Sequence, residues 1–560
     1  MKTVMSLLLV LVFLPAHAWA LSIVDSKHNL STSGPGPYKS LTENKVCIFC
    51  HTPHGAAKDV GVLWNHGAST TTYITYTSST IQTAPGQPTG SSKLCLSCHD
   101  GTVALGEVLT PPTPISFPAG LDYLTSGASA LGSDLSNDHP VSIPYPVAGE
   151  FAPESQATVD LPLDHNGLIQ CTTCHDPHDN KNGQFLRMDN TASAMCVTCH
   201  APTGWASTLH ATSSATWDGV APDPWPNSTE VTVAANGCEN CHEPHNAGAG
   251  ARLLHSSVEE DNCTVCHDGH VATKDVASDF QKTYHHPIEQ TVGVHDPTED
   301  PINAPRHVEC VDCHNPHQAT DTSATAPSAS GALKGVTGVS AAGLVVQPLT
   351  QQYELCFRCH GDSASGTAPT PRQILQTNTR LEFDPSNPSS HPVEAPGANL
   401  NVPSLIAPLT TSSIMYCTDC HASDTGPGAG GTGPAGPHGS NWPYLLERRY
   451  ETADGTIEDS TTYALCYKCH SRVSILGDQS FPMHSTHVQG DNAPCNVCHD
   501  PHGISATQGN ATNNAHLINF DTSVVSPNSS GLLRYESTGT FSGQCYLSCH
   551  GHDHNPEVYP

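Results

Sequence analysis

Charge is scarce in this sequence. Asp, Glu, Lys and Arg together make up 13% of its 560 residues, where an ordinary soluble domain carries about 25%. Basic residues are the scarcest, 21 against 52 acidic ones, for a formal net charge of −31, which excludes a polyanion-binding surface and with it a nucleic-acid partner. Aromatic residues reach only 6% and hydrophobic residues as a whole 37%, too thin for a large hydrocarbon core, so something other than side chains is expected to fill the interior. After the first twenty residues no run approaches the length of a membrane span, so no transmembrane segment is expected in the mature chain. Turn formers, by contrast, are plentiful: 45 Gly and 46 Pro forecast a mostly irregular chain with short helices and few strands.

Residues 1–20 carry Lys2, the apolar run from Val4 to Leu14, Pro15, and the small residues Ala18 and Ala20 in an A-x-A arrangement. This reads as a cleaved secretory signal, too short for an uncleaved anchor. The mature protein is therefore expected to be exported, to the periplasm, the outer-membrane surface or the extracellular space, beginning near Leu21.

The 24 cysteines carry the chemistry. An even number in an exported chain would normally mean disulfides, but here every cysteine falls in a close pair followed directly by His. The segments are Cys47-Cys50-His51, Cys95-Cys98-His99, Cys171-Cys174-His175, Cys196-Cys199-His200, Cys238-Cys241-His242 and Cys263-Cys266-His267. They continue with Cys310-Cys313-His314, Cys356-Cys359-His360, Cys417-Cys420-His421, Cys466-Cys469-His470 and Cys495-Cys498-His499, and end with the expanded CxxxCH segment Cys545-Cys549-His550. Two thiols one short turn apart can add to the two vinyl groups of one haem while the adjacent imidazole reaches its iron. Zinc would use CxxC pairs as halves of four-thiolate sites but gives no reason for the invariable His. About twelve covalent haems c are expected, with the twelfth in modest doubt because its motif is expanded.

Each iron needs a second axial ligand, His or Met. Only Met188, Met195, Met415 and Met483 remain after the signal, whereas 23 histidines remain beyond His17 and the motif histidines, so bis-histidine ligation is expected throughout. An internal repeat assigns the candidates. Downstream of the first motif of each pair stands CHxPH, giving His54, His178, His245, His317 and His502; in the fifth pair a Gly-rich insert intervenes and His438 is the displaced equivalent. Upstream stand His28, His139, His210, His286, His391 and His484, with His487 an alternative to His484. A His three residues after the proximal one starts on the same side of its own porphyrin, so it is expected to ligate a neighbouring haem. The others, His66, His165, His255, His270, His285, His295, His307, His516, His552 and His554, are surplus to this count.

The repeat divides the chain into six two-haem units, 21–125, 126–205, 206–280, 281–375, 376–478 and 479–560. Forty-five residues per haem are too few for separate domains, so the expected fold is an extended polypeptide wrapped around a stack of haems that share walls. Ala319 to Ser340 and Ala422 to Gly436 read as surface loops. The string Asn441-Trp442-Pro443-Tyr444-Leu445-Leu446 is the clearest apolar patch and is expected to pack over haem.

The tandem CxxCH…CHxPH…CxxCH pattern resembles the doubled-CxxCH multihaem c-type cytochromes, especially exported and outer-surface cytochromes of metal-reducing bacteria. The resemblance covers nearly the whole mature chain and departs from it at Cys545–Cys549. It implies long-range electron transfer toward redox partner proteins, other cytochromes, minerals or electrodes, and in some relatives self-association into filaments. A multihaem reductase with one open iron is the competing class, but no CxxCK motif marks such a site. The chain is accordingly read as an electron-transfer protein with no catalytic residues, and its acidic charge favours basic partners or bound cations.

Overall fold

The computed structural model describes residues 23–58, 61–290, 293–362 and 370–559. The expected signal at 1–20 lies outside the described residues. The longest helices are α1 (Gly90–His99) and α2 (Gln352–His360), of ten and nine residues, and both end on a motif His. The remaining helices are single turns or little more, and most strands are two residues long. Mean element length is thus what the Gly and Pro content dictates.

The recurrent local structure is the motif itself. In Cys47–His51 the N–H of His51 donates to the carbonyl of Cys47 at 2.8 Å, closing one α-turn, and the same bond, at 2.8–3.0 Å, closes the motifs ending at His175, His200, His242, His267, His314, His421, His470 and His499. With the two motifs inside α1 and α2, eleven of the twelve segments put both thiols on one turn. The twelfth does not. Cys545 and Cys549 both lie on β2 (Ser542–Cys549) of an antiparallel sheet in the order β1 (Arg534–Gly539), β2, β3 (His552–Tyr559). His550 and Gly551 have φ of 50° and 81° and form the two-residue turn between β2 and β3, the backbone that a tight hairpin requires. Four residues along a strand span about 13 Å, so these thiols are much further apart than in the other motifs.

Two compact lobes are present, one running to Ala201 and including Glu243–Leu253, the other Pro202–His242 with Leu254 onward. Their hydrocarbon cores are small. In the first lobe Phe49, Val108 and Ile115 form one cluster, and Tyr73, Leu96 and Leu135 another. In the second, Val339, Phe357, Phe383 and Val393 form one, and the C-terminal sheet lies on the largest, made of Ala493, Val497, Phe520, Val525, Tyr535 and Leu547. No helix among the described residues is long and apolar enough to cross a membrane.

Short strand pairs tie distant histidines together. In the second lobe Ser389–Ser390 pairs with Gly503–Ile504, and Tyr284–His285 pairs with Gly439–Ser440. These pairings set His391 beside His502 and His286 beside His438, with the N–H of His391 donating to the carbonyl of His502 at 3.0 Å. Gly503 is required here: a Cβ would run into the carbonyl oxygen of Glu382.

Phe520, 2% exposed in the largest cluster, is expected to cost about 3–5 kcal/mol when truncated to Ala. Val147→Ala, at a side chain 95% exposed, should change stability by no more than about 0.5 kcal/mol. Urea unfolding of the two variants checks both.

Candidate functional site

Imidazoles face one another in pairs throughout both lobes. In the first, the ring centres are 6.2 Å apart for His28 and His99, 6.1 Å for His51 and His178, 6.2 Å for His139 and His200, and 6.1 Å for His175 and His245. In the second they are 6.3 Å for His210 and His267, 6.2 Å for His242 and His317, 6.5 Å for His286 and His360, and 6.1 Å for His314 and His438. Further pairs are His391 and His470 at 6.5 Å, His421 and His502 at 6.1 Å, His484 and His499 at 6.3 Å, and His487 and His554 at 6.4 Å; a thirteenth, His295 and His307 at 6.1 Å, involves neither a CxxCH nor a CHxPH histidine. Direct imidazole stacking would bring the rings much closer. Two trans metal–imidazole bonds of about 2.0–2.1 Å each, plus about 1.1 Å from each ligating nitrogen to its ring centre, give about 6.3 Å. The spacing fits one metal ion held between each pair.

The pairs follow a rule. The downstream His of a CHxPH segment faces the first-motif His of the preceding unit, as His178 faces His51 and His502 faces His421; the upstream His faces the second-motif His of its own unit, as His28 faces His99 and His391 faces His470. The last unit is different, because His484 faces its first-motif His499.

The opposite ring nitrogen orients many of these rings, although Nδ1 of His438 and of His484 is buried without a partner among the described residues. Nδ1–H of His28 donates to the carbonyl of Pro177 at 3.4 Å, that of His210 to Pro316 at 3.1 Å, that of His286 to Pro437 at 2.8 Å, and that of His391 to Pro501. The acceptor is each time the proline of the next unit's Pro-His pair. One short segment thus offers its own proximal imidazole, a second imidazole for the preceding unit, and a carbonyl that turns another of that unit's rings.

For four first-motif histidines the acceptor is a strained turn, whereas His314 donates to the carbonyl of Ala332 at 3.0 Å. Nδ1–H of His51 donates to Val62, of His175 to Gln184, of His421 to Tyr444 and of His499 to His516, at 2.7–2.9 Å. Each acceptor begins a pair of left-handed residues, Val62–Leu63, Gln184–Phe185, Tyr444–Leu445 and His516–Leu517, all with φ between 47° and 63°. Such backbone costs on the order of 1–3 kcal/mol per residue and is kept at functional sites. The signal that could have found these turns is the recurring apolar residue pair downstream of each first motif, as in Leu63-Trp64, Phe185-Leu186 and Leu445-Leu446.

Burial first, and the facing imidazole second, hold His28, His267, His360, His421, His470 and His484 down at about 4, so these rings are neutral, as metal ligands must be. Two rings differ: although burial opposes it, Asp138 holds His245 above its ordinary value, and Glu382 does the same to His502. Their Nδ1–H groups donate to those carboxylates at 3.0 and 3.1 Å.

Two expected ligands stand apart. His54 is exposed, and among the described residues no imidazole is recorded facing it. His550 has Nε2–H donating to both carboxylate oxygens of Asp454 at 3.0 Å, so the nitrogen that would meet iron is engaged. The pair at this end is instead His487 and His554, with Nδ1–H of His487 donating to the carbonyl of Met483 at 2.8 Å and Nδ1 of His554 bonded to the Tyr559 hydroxyl at 3.1 Å. His66, by contrast, is a structural ring, with both nitrogens bonded to carbonyls at 3.0 Å.

All 24 thiols are free of disulfides. Burial pushes Cys50 up to about 11, and Cys174, Cys241, Cys313, Cys420 and Cys498 up to about 12, the reverse of what zinc thiolates need. Among the described residues no cluster of three or more potential metal ligands contains a cysteine. Thiols of consecutive motifs do meet: Cys95 is hydrogen-bonded to Cys171, Cys263 to Cys310, Cys356 to Cys417 and Cys466 to Cys495. Paired thiols on one turn, with a neutral imidazole aimed at a facing imidazole, fit covalent haem c.

Comparison with known proteins agrees with this geometry. Residues 165–204 and 407–474 match the family described as the doubled CXXCH motif. No curated protein matches the sequence. The same CxxCH spacing recurs along the rest of the chain, so in these segments the protein is similar to the doubled-CxxCH family.

Proposed function

We propose that this chain is a twelve-haem c-type cytochrome that carries electrons over long range, outside the cytoplasm, with every iron held by two imidazoles. The observation that carries the reading is that, of thirteen imidazole pairs at 6.1–6.5 Å among the described residues, eleven contain a CxxCH histidine and a twelfth, His487 and His554, stands at the expanded motif. Haem, when bound, supplies an Fe(III)/Fe(II) couple whose potential depends on its axial ligands and their hydrogen bonds.

The residues do the rest. Each motif turn presents two thiols for attachment and one imidazole; the facing imidazole, arriving from a different segment, would be the second protein ligand of a bound metal and would keep water and substrate from it. Ligands held this way need not rearrange when charge changes, which suits electron transfer and leaves no position for bond making. Asp138 and Glu382 make His245 and His502 more basic ligands than rings bonded to carbonyls, favouring the oxidised metal at those two sites. For the expanded motif we assign His487 and His554 as the axial pair. The strand spacing of Cys545 and Cys549 suits one thioether there in place of two. Export follows from the signal-like residues 1–20, and the charge of −31 favours docking to basic redox partners, to another cytochrome, or to a mineral or electrode surface that carries bound cations.

Haem content against chain concentration should give twelve per chain, with low-spin EPR signals throughout; fewer than eleven would end the proposal. Carbon monoxide should bind little to the reduced native protein. His178→Ala and His554→Ala should each open one haem in twelve to carbon monoxide, whereas His54→Ala and His550→Ala should open none of the haems that remain attached. Binding in His550→Ala but not in His554→Ala would return the twelfth iron to His550.

Alkylation of the denatured protein followed by peptide mass spectrometry should find a single modifiable thiol in the chain, at Cys545 or Cys549. Two haem adducts on that peptide, or two free thiols, would contradict the single attachment.

A further inference from the structure

One cluster of metal-ligating side chains in the second lobe lies outside the facing pairs assigned to haem. His295, Glu299, His307 and Asp312 each bring a ligand atom to within 4.8 Å of all the others. Ligands of a shared first-row cation stand up to about 4.2 Å apart, twice a bond of about 2.1 Å, so the group needs to close by only about half an ångström.

The lone pairs are the telling feature. His307 donates its Nδ1–H to the carbonyl of Pro305 at 2.9 Å, so in the neutral ring Nε2 carries a lone pair. That lone pair faces Glu299 Oε2 at 3.2 Å, Glu309 Oε2 at 3.7 Å and Asp312 Oδ2 at 3.9 Å. Four electron-pair donors converging on one point repel unless a cation sits among them. His295 is held from the other side, its Nδ1–H donating to Glu309 Oε2 at 2.6 Å, the arrangement in which a carboxylate steadies an imidazole for a metal.

Charge points the same way. The side chains of Glu309, Asp312 and Glu299 are 3%, 9% and 17% exposed. Arg358 bridges Glu299 Oε1 and Asp312 Oδ1, both at 2.7 Å, so it takes the outer oxygens; Glu299 Oε2 faces the cluster, and Asp312 Oδ2 does so while also accepting the N–H of Glu309 at 2.8 Å. Three carboxylates against one guanidinium leave two negative charges to be met in a poorly solvated place.

We infer that His295, Glu299, His307 and Asp312 form a binding site for one divalent first-row transition-metal ion. Two imidazoles with two carboxylates are a donor set for zinc and its neighbours, whereas calcium and magnesium prefer oxygen alone. Asp312 lies between Cys310 and Cys313, so the ion would pin the preceding loop to the seventh motif turn without taking part in redox chemistry if it is zinc.

The test uses the purified holoprotein, stripped with a chelator, desalted and titrated with Zn(II) in a calorimeter, with haem absorbance read on the same samples. One zinc per chain is expected at this site, with affinity reduced at least about 10-fold in His307→Ala and haem content unaltered. Glu299→Gln, which keeps the shape of the side chain, should weaken zinc in the same way and replaces His307→Ala if that variant fails to accumulate. No uptake by the native protein, or equal uptake by native protein and variants, overturns the site and leaves protons on the two histidines as the compensating charge. Because the haem reading is scored separately, by haem count, either inference can fail alone.

Discussion

An imidazole can be aimed only from its far nitrogen, and the hydrogen bond made there governs almost everything else in this chain. His28, His210, His286 and His391 take that bond from a proline carbonyl, and His51, His175, His421 and His499 take it from left-handed turns. Helices and sheets satisfy their own carbonyls and would have few to give. A polypeptide whose main duty is to supply free carbonyls at chosen points is better built from turns. That is the physical reason for so little regular structure, and for the abundance of Gly and Pro.

The same constraint explains the thin hydrocarbon core. Clusters such as Phe49, Val108 and Ile115 are too small to organise a lobe alone, but they need only brace the motif turns. Planar cofactors add apolar surface that the side chains lack, and covalent attachment removes the cost of finding it. The strain at Tyr444–Leu445 or His516–Leu517 is tolerable on this view because packing and ligation on both sides determine the backbone together.

Much of this was legible in the sequence. The CxxCH spacing implies a single turn, and eleven motifs make one; the CHxPH segments imply a second imidazole offered to a neighbour, and His178, His245, His317 and His502 do face another unit's motif His. What composition and spacing could not convey is which end of the repeat is left over. His54 carries the same local signature as His178, and only the direction in which each unit reaches shows that the motif histidines among the described residues leave it no partner. His554 was hidden for a different reason. A residue five and nine positions past its two thiols is near both only if the chain doubles back, and the hairpin at His550–Gly551 depends on a non-glycine residue at positive φ, which no pattern of polar and apolar residues announces. The second-lobe cluster at His295 and His307 was likewise invisible, because their spacing matches no regular element and Arg358, which balances its carboxylates, arrives from a separate stretch of chain.

The one-way reach of each Pro-His pair into the unit before it makes the architecture directional, like courses of roof tiles. A tile in the middle can be added or lost only together with the overlap it owes its neighbour, so duplications that cut between a CxxCH and its CHxPH tail would strand a metal site. The closing sheet, where His484 turns back to His499 and the strands bring up His554, acts as the ridge. Such a chain can lengthen by whole courses inserted below the ridge, and the number of courses, not the design of any one of them, sets how far it spans.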